Sequence, residues 1–154
     1  MRFLLMLAVF SPYCVAQRAG VEYVIEFLRT EEATASPAFS IVRAEPSAGG
    51  LRLFLDTSRP DIVADLLGAG ALEAQLSDHR KESATNHPIS FGKGVWCYLN
   101  SAPIYLGYID PLPECDGNPP ARIEYFFEVP VTLGPDQDLA IGQDPDFLWL
   151  IEVR

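Results

Sequence analysis

The segment Val-Glu-Tyr-Val-Ile-Glu-Phe-Leu-Arg, residues 21–29, decides the fold class because its apolar residues recur at every second position. One face carries Val21, Tyr23, Ile25 and Phe27. The other carries Glu22, Val24, Glu26 and Leu28. A period of two is typical of a β-strand, whose successive side chains point to opposite faces of a sheet. The segment therefore predicts a strand.

Seven more segments show the features of short strands bounded by turn residues. They are Pro37–Arg43, Leu51–Asp56, Ala71–Ser77, Val95–Leu99, Ile104–Ile109, Arg122–Val129 and Phe147–Val153. Residues 46–50 are predicted to form the loop of a hairpin. Residues 78–94 are predicted to form an exposed loop with a short extended piece near Ile89–Phe91. Pro130 ends the strand before it or places it at an edge. Phe147–Val153 is apolar on both faces, which predicts a central strand.

One helix is predicted near residues 59–67. Ser58 is suited to cap it, Pro60 fits its first turn, and Asp61 lies where it would complete a capping box. About eight short strands with one helix predict a mainly β fold, either a β-sandwich or a partly closed barrel. We find no internal repeat or linker, so residues 17–154 are expected to form a single β-rich domain.

The charge balance of the chain limits the kinds of partner that it is expected to bind. The chain has 154 residues, with 21 acids against 11 bases and a formal net charge of −10. Nucleic-acid binding needs clustered Lys and Arg, and anionic membrane surfaces also attract basic segments. The composition therefore argues against both. Residues 94–154 hold ten of the acids and two of the bases, so the negative charge is concentrated in that part of the chain.

Residues 1–16 have the pattern of a signal peptide. Arg2 provides the positive charge, residues 3–10 are apolar, and Val15 and Ala16 lead to a cleavage site before Gln17. The apolar run is too short to span a bilayer, which takes about 20 residues. We therefore expect an exported protein, periplasmic or secreted, without a membrane span. Lipid attachment at Cys14 is an alternative to cleavage after Ala16.

Cleavage would leave two cysteines, Cys97 and Cys115. In an oxidising compartment the simplest expectation for two remaining cysteines is one disulfide. The alternatives are two reduced thiols or a metal pair.

Two Asp-x-Asp pairs lie in the acidic part of the chain and are predicted to belong to one connection between strands: Asp136 with Asp138, and Asp144 with Asp146. Carboxylates two residues apart can offer oxygens to a hard cation, and Ca²⁺ is the cofactor these residues suggest. The alternative is an acidic loop in contact with solvent.

An aromatic hairpin is predicted around the turn at residues 100–103. This turn would place Tyr98 opposite Tyr105 and Trp96 opposite Gly107, with Trp96, Tyr98 and Tyr105 on one face. If the row is exposed, it suits stacking on sugar rings and predicts a carbohydrate-binding module. If it is covered, it is cross-strand packing.

An enzymatic alternative rests on the run Leu53-Phe54-Leu55-Asp56-Thr57, together with the later run Leu139–Gly142. This pattern loosely resembles the retropepsin-type aspartic proteases, although Ser58 stands where that family has Gly. The resemblance implies a homodimeric hydrolase in which Asp56 of each chain activates water. The other interpretation is a strand that leads into a capped helix.

The two histidines, His79 and His87, are interpreted as loop residues, because a zinc site would need three or four ligands. The sequence thus favours an exported, small binding domain that acts without catalysis. Its expected partner is a protein or a glycan in the cell envelope or outside the cell.

Overall fold

The computed structural model describes residues 21–31, 36–99, 102–107, 115, 122–143 and 146–154. These residues form ten strands and one helix. In chain order the elements are β1 (Tyr23–Arg29), β2 (Ser40–Ser47), β3 (Gly50–Asp56), α1 (Pro60–Gly68), β4 (Leu72–Asp78), β5 (Ser83–His87), β6 (Ser90–Leu99), β7 (Ala102–Gly107), β8 (Arg122–Val129), β9 (Gln137–Gln143) and β10 (Phe147–Val153). The predicted signal peptide, residues 1–16, lies outside the described residues.

The strands form two antiparallel five-stranded sheets. The order is β1-β10-β9-β4-β5 in the first sheet and β2-β3-β8-β6-β7 in the second. No barrel closes, and the arrangement is consistent with a β-sandwich, which confirms the predicted fold class. The prediction that Phe147–Val153 is central is also confirmed, because β10 pairs with β1 on one side and β9 on the other.

The structure has two more strands than the eight that were expected. The prediction that residues 78–94 are mainly a loop was wrong, although the extended piece expected near Ile89–Phe91 coincides with the start of β6. β5 lies inside that range, and β6 begins there at Ser90 rather than at Val95. β5 has no apolar alternation to reveal it, since it is a polar strand held by pairing with β4. In β6, Gly92 and Gly94 suggested a loop. The rings of Phe126 and Tyr105 pack over these two glycines, as aromatic residues do over strand glycines.

The boundaries of β2 also differ from the prediction. The strand runs to Ser47, so the connection to β3 is tighter than the five-residue loop that was expected. Pro46 lies within β2, opposite Leu51. Proline is tolerated there because β2 is an edge strand, whose outer N–H groups take no part in the sheet.

The helix is where it was predicted, but its cap is not. Arg59 rather than Ser58 is the N-cap residue, and no side chain caps the helix. Asp61 does not complete a capping box, because its carboxylate bonds the Arg59 guanidinium, with an Nη2–Oδ2 distance of 3.1 Å. Pro60 occupies the first turn as expected, and among the helix residues Val63 is fully buried in the core.

Phe39 connects the two sheets in the core. Its ring stacks on Trp149 of β10, with centroids 4.6 Å apart, and meets Phe127 of β8 edge-on at 5.1 Å. The core around these rings is made of aliphatic side chains from both sheets, among them Leu51, Leu53, Val129, Leu139, Ile141 and Ile151. Burial of this apolar area is the main favourable term in folding. In the described part of the chain, no helix has the length and apolar character needed to cross a membrane.

Candidate functional site

The aromatic hairpin forms from β6 and β7, but its register differs from the prediction. Trp96 lies opposite Tyr105, Tyr98 opposite Pro103, and a bulge separates Val95 from Trp96. The predicted pairs of Tyr98 with Tyr105 and Trp96 with Gly107 were therefore wrong. The slip is two residues, so the backbone positions of Trp96 and Tyr105 still share a face. The side chain of Tyr98 lies outside the described residues.

Trp96 is partly buried and contacts three neighbouring side chains. Its ring lies 5.2 Å from the Tyr105 ring and 4.8 Å from the guanidinium carbon of Arg122. Its indole Nε1 donates to Glu124 Oε1 at 3.3 Å. The cation–π contact occupies one face of the Trp96 ring. The hydrogen bond uses the indole N–H, which is the polar group of this side chain. Tyr105 is the more accessible of the two aromatic residues, with 45% of its surface exposed.

Two more arginine–aromatic contacts occur in the second sheet. The guanidinium of Arg43 lies 3.9 Å from the Phe54 ring, and that of Arg52 lies 4.1 Å from the Phe126 ring. Arg52 also bonds Glu128, with an Nη2–Oε2 distance of 3.0 Å. The hydroxyl of Ser47 donates to the same Glu128 oxygen at 2.8 Å, and this bond, followed by Arg52, lowers the Glu128 pKa. The charges here are paired within the chain.

Asp56 is exposed at the end of β3, opposite Ser40 of β2. The run Leu139–Gly142, which the protease resemblance associates with Asp56, lies in β9 of the other sheet. Thr57 donates its hydroxyl to the Ala38 carbonyl at 2.8 Å and accepts from the Arg59 N–H at 3.1 Å. These two hydrogen bonds of Thr57 thus hold the backbone that leads from β3 into α1.

A shallow cleft of about 280 Å³ lies away from Asp56, between the end of α1 and strands β4 and β5. Its lining is mainly apolar, with Leu67, Leu72, Pro88 and Ile89 beside Glu73 and His87. No aspartate lines this cleft, so the cleft does not bring the Asp56 carboxylate into an enclosed pocket.

The predicted cation ligands are spread over different elements. Asp138 lies in β9, whereas Asp136 is in the turn before it, with φ of 65°. The predicted single connection that holds both Asp pairs was therefore wrong, because a strand lies between them. Asp146 lies just before β10, and Asp144 is outside the described residues.

Two of these carboxylates bond basic side chains of the chain itself. Asp136 Oδ2 lies 2.8 Å from Arg80 Nη2, and Asp138 Oδ2 lies 2.6 Å from His79 Nε2. The hydrogen bond to Asp138, together with its charge, raises the His79 pKa. In the residues with described positions, no three His, Cys, Asp or Glu side chains converge as a metal site would require.

Cys97 of β6 and Cys115 form the predicted disulfide pair, with Cα atoms 5.2 Å apart. Both cysteines are buried. The pair links β6 to residue 115, which lies between β7 and β8 in the chain.

The exposed apolar side chains reveal a surface that the sequence interpretation missed. In the described ranges, every large hydrophobic residue that is exposed lies on or just before an edge strand. They are Val21, Val24, Phe27 and Leu28 at β1, Val42 at β2, and Ile104, Tyr105 and Leu106 at β7. Edge strands normally carry charges, prolines or bulges that prevent pairing with other chains.

The two edges of the first sheet differ sharply. β5, at one edge, has the sequence Ser-Ala-Thr-Asn-His and exposes no large apolar residue. β1, at the other, exposes 37% of Val24, 42% of Phe27 and 43% of Leu28. The sequence already showed Val24 and Leu28 as apolar residues on the second face of the predicted strand. This pattern was the sequence signal for an exposed apolar surface.

The outer face of the first sheet extends this apolar surface beyond β1. Leu28 pairs with Leu148, and Glu26 pairs with Leu150, both on β10. Leu148 and Leu150 are only partly buried, so part of each side chain is accessible on this face. We call Val24, Leu28, Leu148 and Leu150 the outer apolar patch.

Comparisons of the chain with protein-family models, with curated proteins and with solved structures found no match. The functional conclusion therefore rests on the surfaces described above.

Proposed function

We propose that this protein is an exported binding domain that acts without catalysis and holds an extended segment of a partner protein along β1. The observation that carries the proposal is the unequal exposure of apolar side chains at the two edges of the first sheet. β5 is polar, whereas β1 exposes Val24, Phe27 and Leu28. An edge strand offers unpaired N–H and C=O groups, and apolar side chains on it supply the contact area for an added strand.

The predicted signal peptide and the Cys97–Cys115 pair support export, because disulfides persist in oxidising compartments. The contact of Arg122 with the partly buried Trp96 ring favours a protein over a glycan as the partner. A sugar ring would have to displace Arg122 from the Trp96 ring to stack there. The exposure of Asp56 and its distance in the fold from Leu139–Gly142 likewise favour binding over proteolysis.

Site-specific crosslinking tests the proposal. A photoreactive amino acid is placed at Val24 on β1 in one protein and at Ala84 on β5 in a matched control. Both proteins are illuminated in the envelope and culture fractions of the host. We expect protein adducts from position 24 and none from position 84. Adducts from both positions in equal yield, or from neither, would contradict the proposal.

Hydrogen exchange then locates the contact on the strand. With the crosslinked partner added in purified form, the amides of Tyr23–Arg29 are expected to exchange more slowly, while those of Ser83–His87 are unchanged. The reason is that an added strand supplies acceptors for the free N–H groups of β1. Protection elsewhere, with none in β1, would place the partner on another surface.

A further inference from the structure

The chemistry of β1 indicates what kind of segment it holds. On the outer face of the first sheet, the residues at and before β1 alternate between acid and apolar side chains, in the order Glu22, Val24, Glu26 and Leu28. The two carboxylates are four residues apart and point to the same side of the strand, since side chains repeat with period two. A strand laid beside β1 would place its own side chains directly opposite these positions.

The carboxylates are available to a partner. Glu26 makes no ion pair or side-chain hydrogen bond with any described residue, and its neighbour across β10 is Leu150. Glu22 has a single distant partner, Arg154, with an Nε–Oε1 distance of 3.9 Å, and both side chains are largely exposed. Neither acid is therefore held tightly by the chain itself.

The rest of this outer face is also acidic. Its positions on β10, β9 and β4 include Glu152, Asp138 and Glu73, and none of the outward positions within these three strands is Lys or Arg. Glu152 and Glu73 thus place negative charge on the same face as the outer apolar patch, whereas Asp138 is bonded to His79 and Arg154 follows β10 beside Glu22. The chain as a whole carries a net charge of −10. A basic segment is attracted to such a surface, and an acidic one is repelled.

A second β1 strand does not supply the complementary charges. If β1 paired with another β1 with matched faces, it would offer Glu22, Val24, Glu26, Leu28 and Thr30, none of which is basic. Opposite Glu26 it would place another acid or an uncharged residue. Like charges opposite each other in a sheet are destabilising.

We infer that the segment bound along β1 is basic and amphipathic, with Lys or Arg alternating with apolar residues on the face that continues the outer apolar patch. Its basic side chains lie opposite Glu22 and Glu26, and its apolar side chains lie opposite Val24 and Leu28. This inference rests on the proposed function, since it names the partner chemistry for the same edge.

Synthetic eight-residue peptides test the pattern. The first has the sequence Lys-Thr-Val-Thr-Lys-Thr-Val-Thr, which places Lys and Val alternately on one face and Thr on the other. A second replaces both lysines by glutamates. A third keeps the composition of the first but places the two lysines next to each other. Binding to the protein is measured by calorimetric titration at low and at physiological salt.

We expect the first peptide to bind about tenfold more tightly than either of the others, and to lose affinity as salt rises, because the pairs are exposed and screened. Glu26→Lys should reverse the preference, so that the glutamate peptide binds better than the lysine peptide. Glu73→Lys, on β4 of the same sheet, is the matched control. This variant should still bind the lysine peptide better than the glutamate peptide, with a smaller loss of affinity for the lysine peptide than in Glu26→Lys.

The outcomes separate the two proposals. Equal binding of all three peptides, or an unchanged preference in Glu26→Lys, would overturn the basic pattern. If the crosslinks at position 24 persist in that case, β1 still holds a partner and only its chemistry is wrong. If the crosslinks are also absent, both proposals fail. Tighter binding of the glutamate peptide to the unmodified protein would overturn the inference directly.

Discussion

Phe27 on the edge strand β1 packs against Trp149, with ring centroids 4.9 Å apart. Trp149 is 2% exposed and belongs to the core, whereas Phe27 is 42% exposed and faces the open side of the sandwich. This contact connects the proposed binding edge to the core. It also makes the indole of Trp149 a reporter for events at β1, since its environment changes when Phe27 moves.

Removing the Phe27 ring should affect both the stability and the emission of Trp149. In a Trp96→Phe background, Trp149 is the remaining tryptophan of the two in the chain. We expect Phe27→Ala to lower the free energy of unfolding by about 1–2 kcal/mol, less than the 3–5 kcal/mol typical of a buried Phe, because the ring is half exposed. The Trp149 emission should shift to longer wavelength as water reaches the indole.

Urea denaturation followed by fluorescence measures both effects. Leu106→Ala is the control, because Leu106 is similarly exposed but lies on β7 of the other sheet. It should leave the Trp149 emission unchanged. The same emission in Phe27→Ala as in its parent would show that the ring does not shield Trp149.

The pair of His79 and Asp138 predicts a pH-dependent contribution to stability. The hydrogen bond and the charge of Asp138 raise the His79 pKa above its ordinary value of 6.5. A group with a raised pKa in the folded state stabilises the fold below its unfolded-state pKa, and this contribution is lost as pH rises through the folded-state pKa. Stability from this pair is therefore present below about pH 6.5 and is lost as the pH rises through the raised pKa of His79.

An NMR titration of the two histidine rings checks this directly. His79 should titrate at higher pH than the same ring in Asp138→Asn, where the charge is absent. A His79 midpoint that is unaffected by Asp138→Asn would show that the pair does not persist in solution.

Glu128 predicts a pH dependence of the opposite sign. The Ser47 hydroxyl and then Arg52 lower its pKa. A lowered pKa stabilises the fold above the unfolded-state value, about 4.3 for Glu, and the contribution is lost as pH falls through the folded-state value. Glu128→Gln should cost about 1 kcal/mol at pH 7, and the difference should shrink as the pH is lowered below 4.

Glu45→Gln is the control for Glu128. Glu45 pairs with Arg43 on the same sheet, but both side chains are half exposed. The change in unfolding free energy is expected to stay within about 0.5 kcal/mol. An equal loss of unfolding free energy in Glu128→Gln and Glu45→Gln at pH 7 would show that the bonds from Ser47 and Arg52 to Glu128 add no stability.

Two glycines should respond to alanine in opposite directions. Gly50 begins β3 with φ of 131°, and an added Cβ would press on the backbone of Val129 and Pro130. Gly68 ends the helix in a conformation open to all residues, with free space around the position of a Cβ. We expect Gly50→Ala to destabilise by more than about 2 kcal/mol, through strain and a backbone clash.

Gly68→Ala should instead stabilise by up to about 1 kcal/mol, because alanine has the higher helix propensity. Thermal unfolding of both variants provides the comparison. Destabilisation by Gly68→Ala, or tolerance of Gly50→Ala, would contradict the backbone geometry on which the two expectations rest.

Several features of the fold could be predicted because their signals are local. The period-two pattern of residues 21–29 predicted β1, the two apolar faces of Phe147–Val153 predicted a central strand, and Pro60 marked the start of the helix. By contrast, β5 carries no local signal, since its polar residues are held in place by pairing with β4. The helix cap was also missed, because the Asp61 carboxylate that could have served a cap is bonded to Arg59 instead.

The candidate site depended still more on long-range pairing. The sequence alone determined that residues 21–29 form a strand with acids and apolar residues on its second face. Only the tertiary structure decided that this strand is an edge, because β1 pairs with β10 near the other end of the chain and with no further strand among the described residues. Likewise, the hairpin register became visible only in the structure, where Leu99 pairs with Ala102 and Trp96 therefore pairs with Tyr105. Periodicity is a property of neighbouring residues, whereas edge position and register arise from contacts between segments far apart in the sequence.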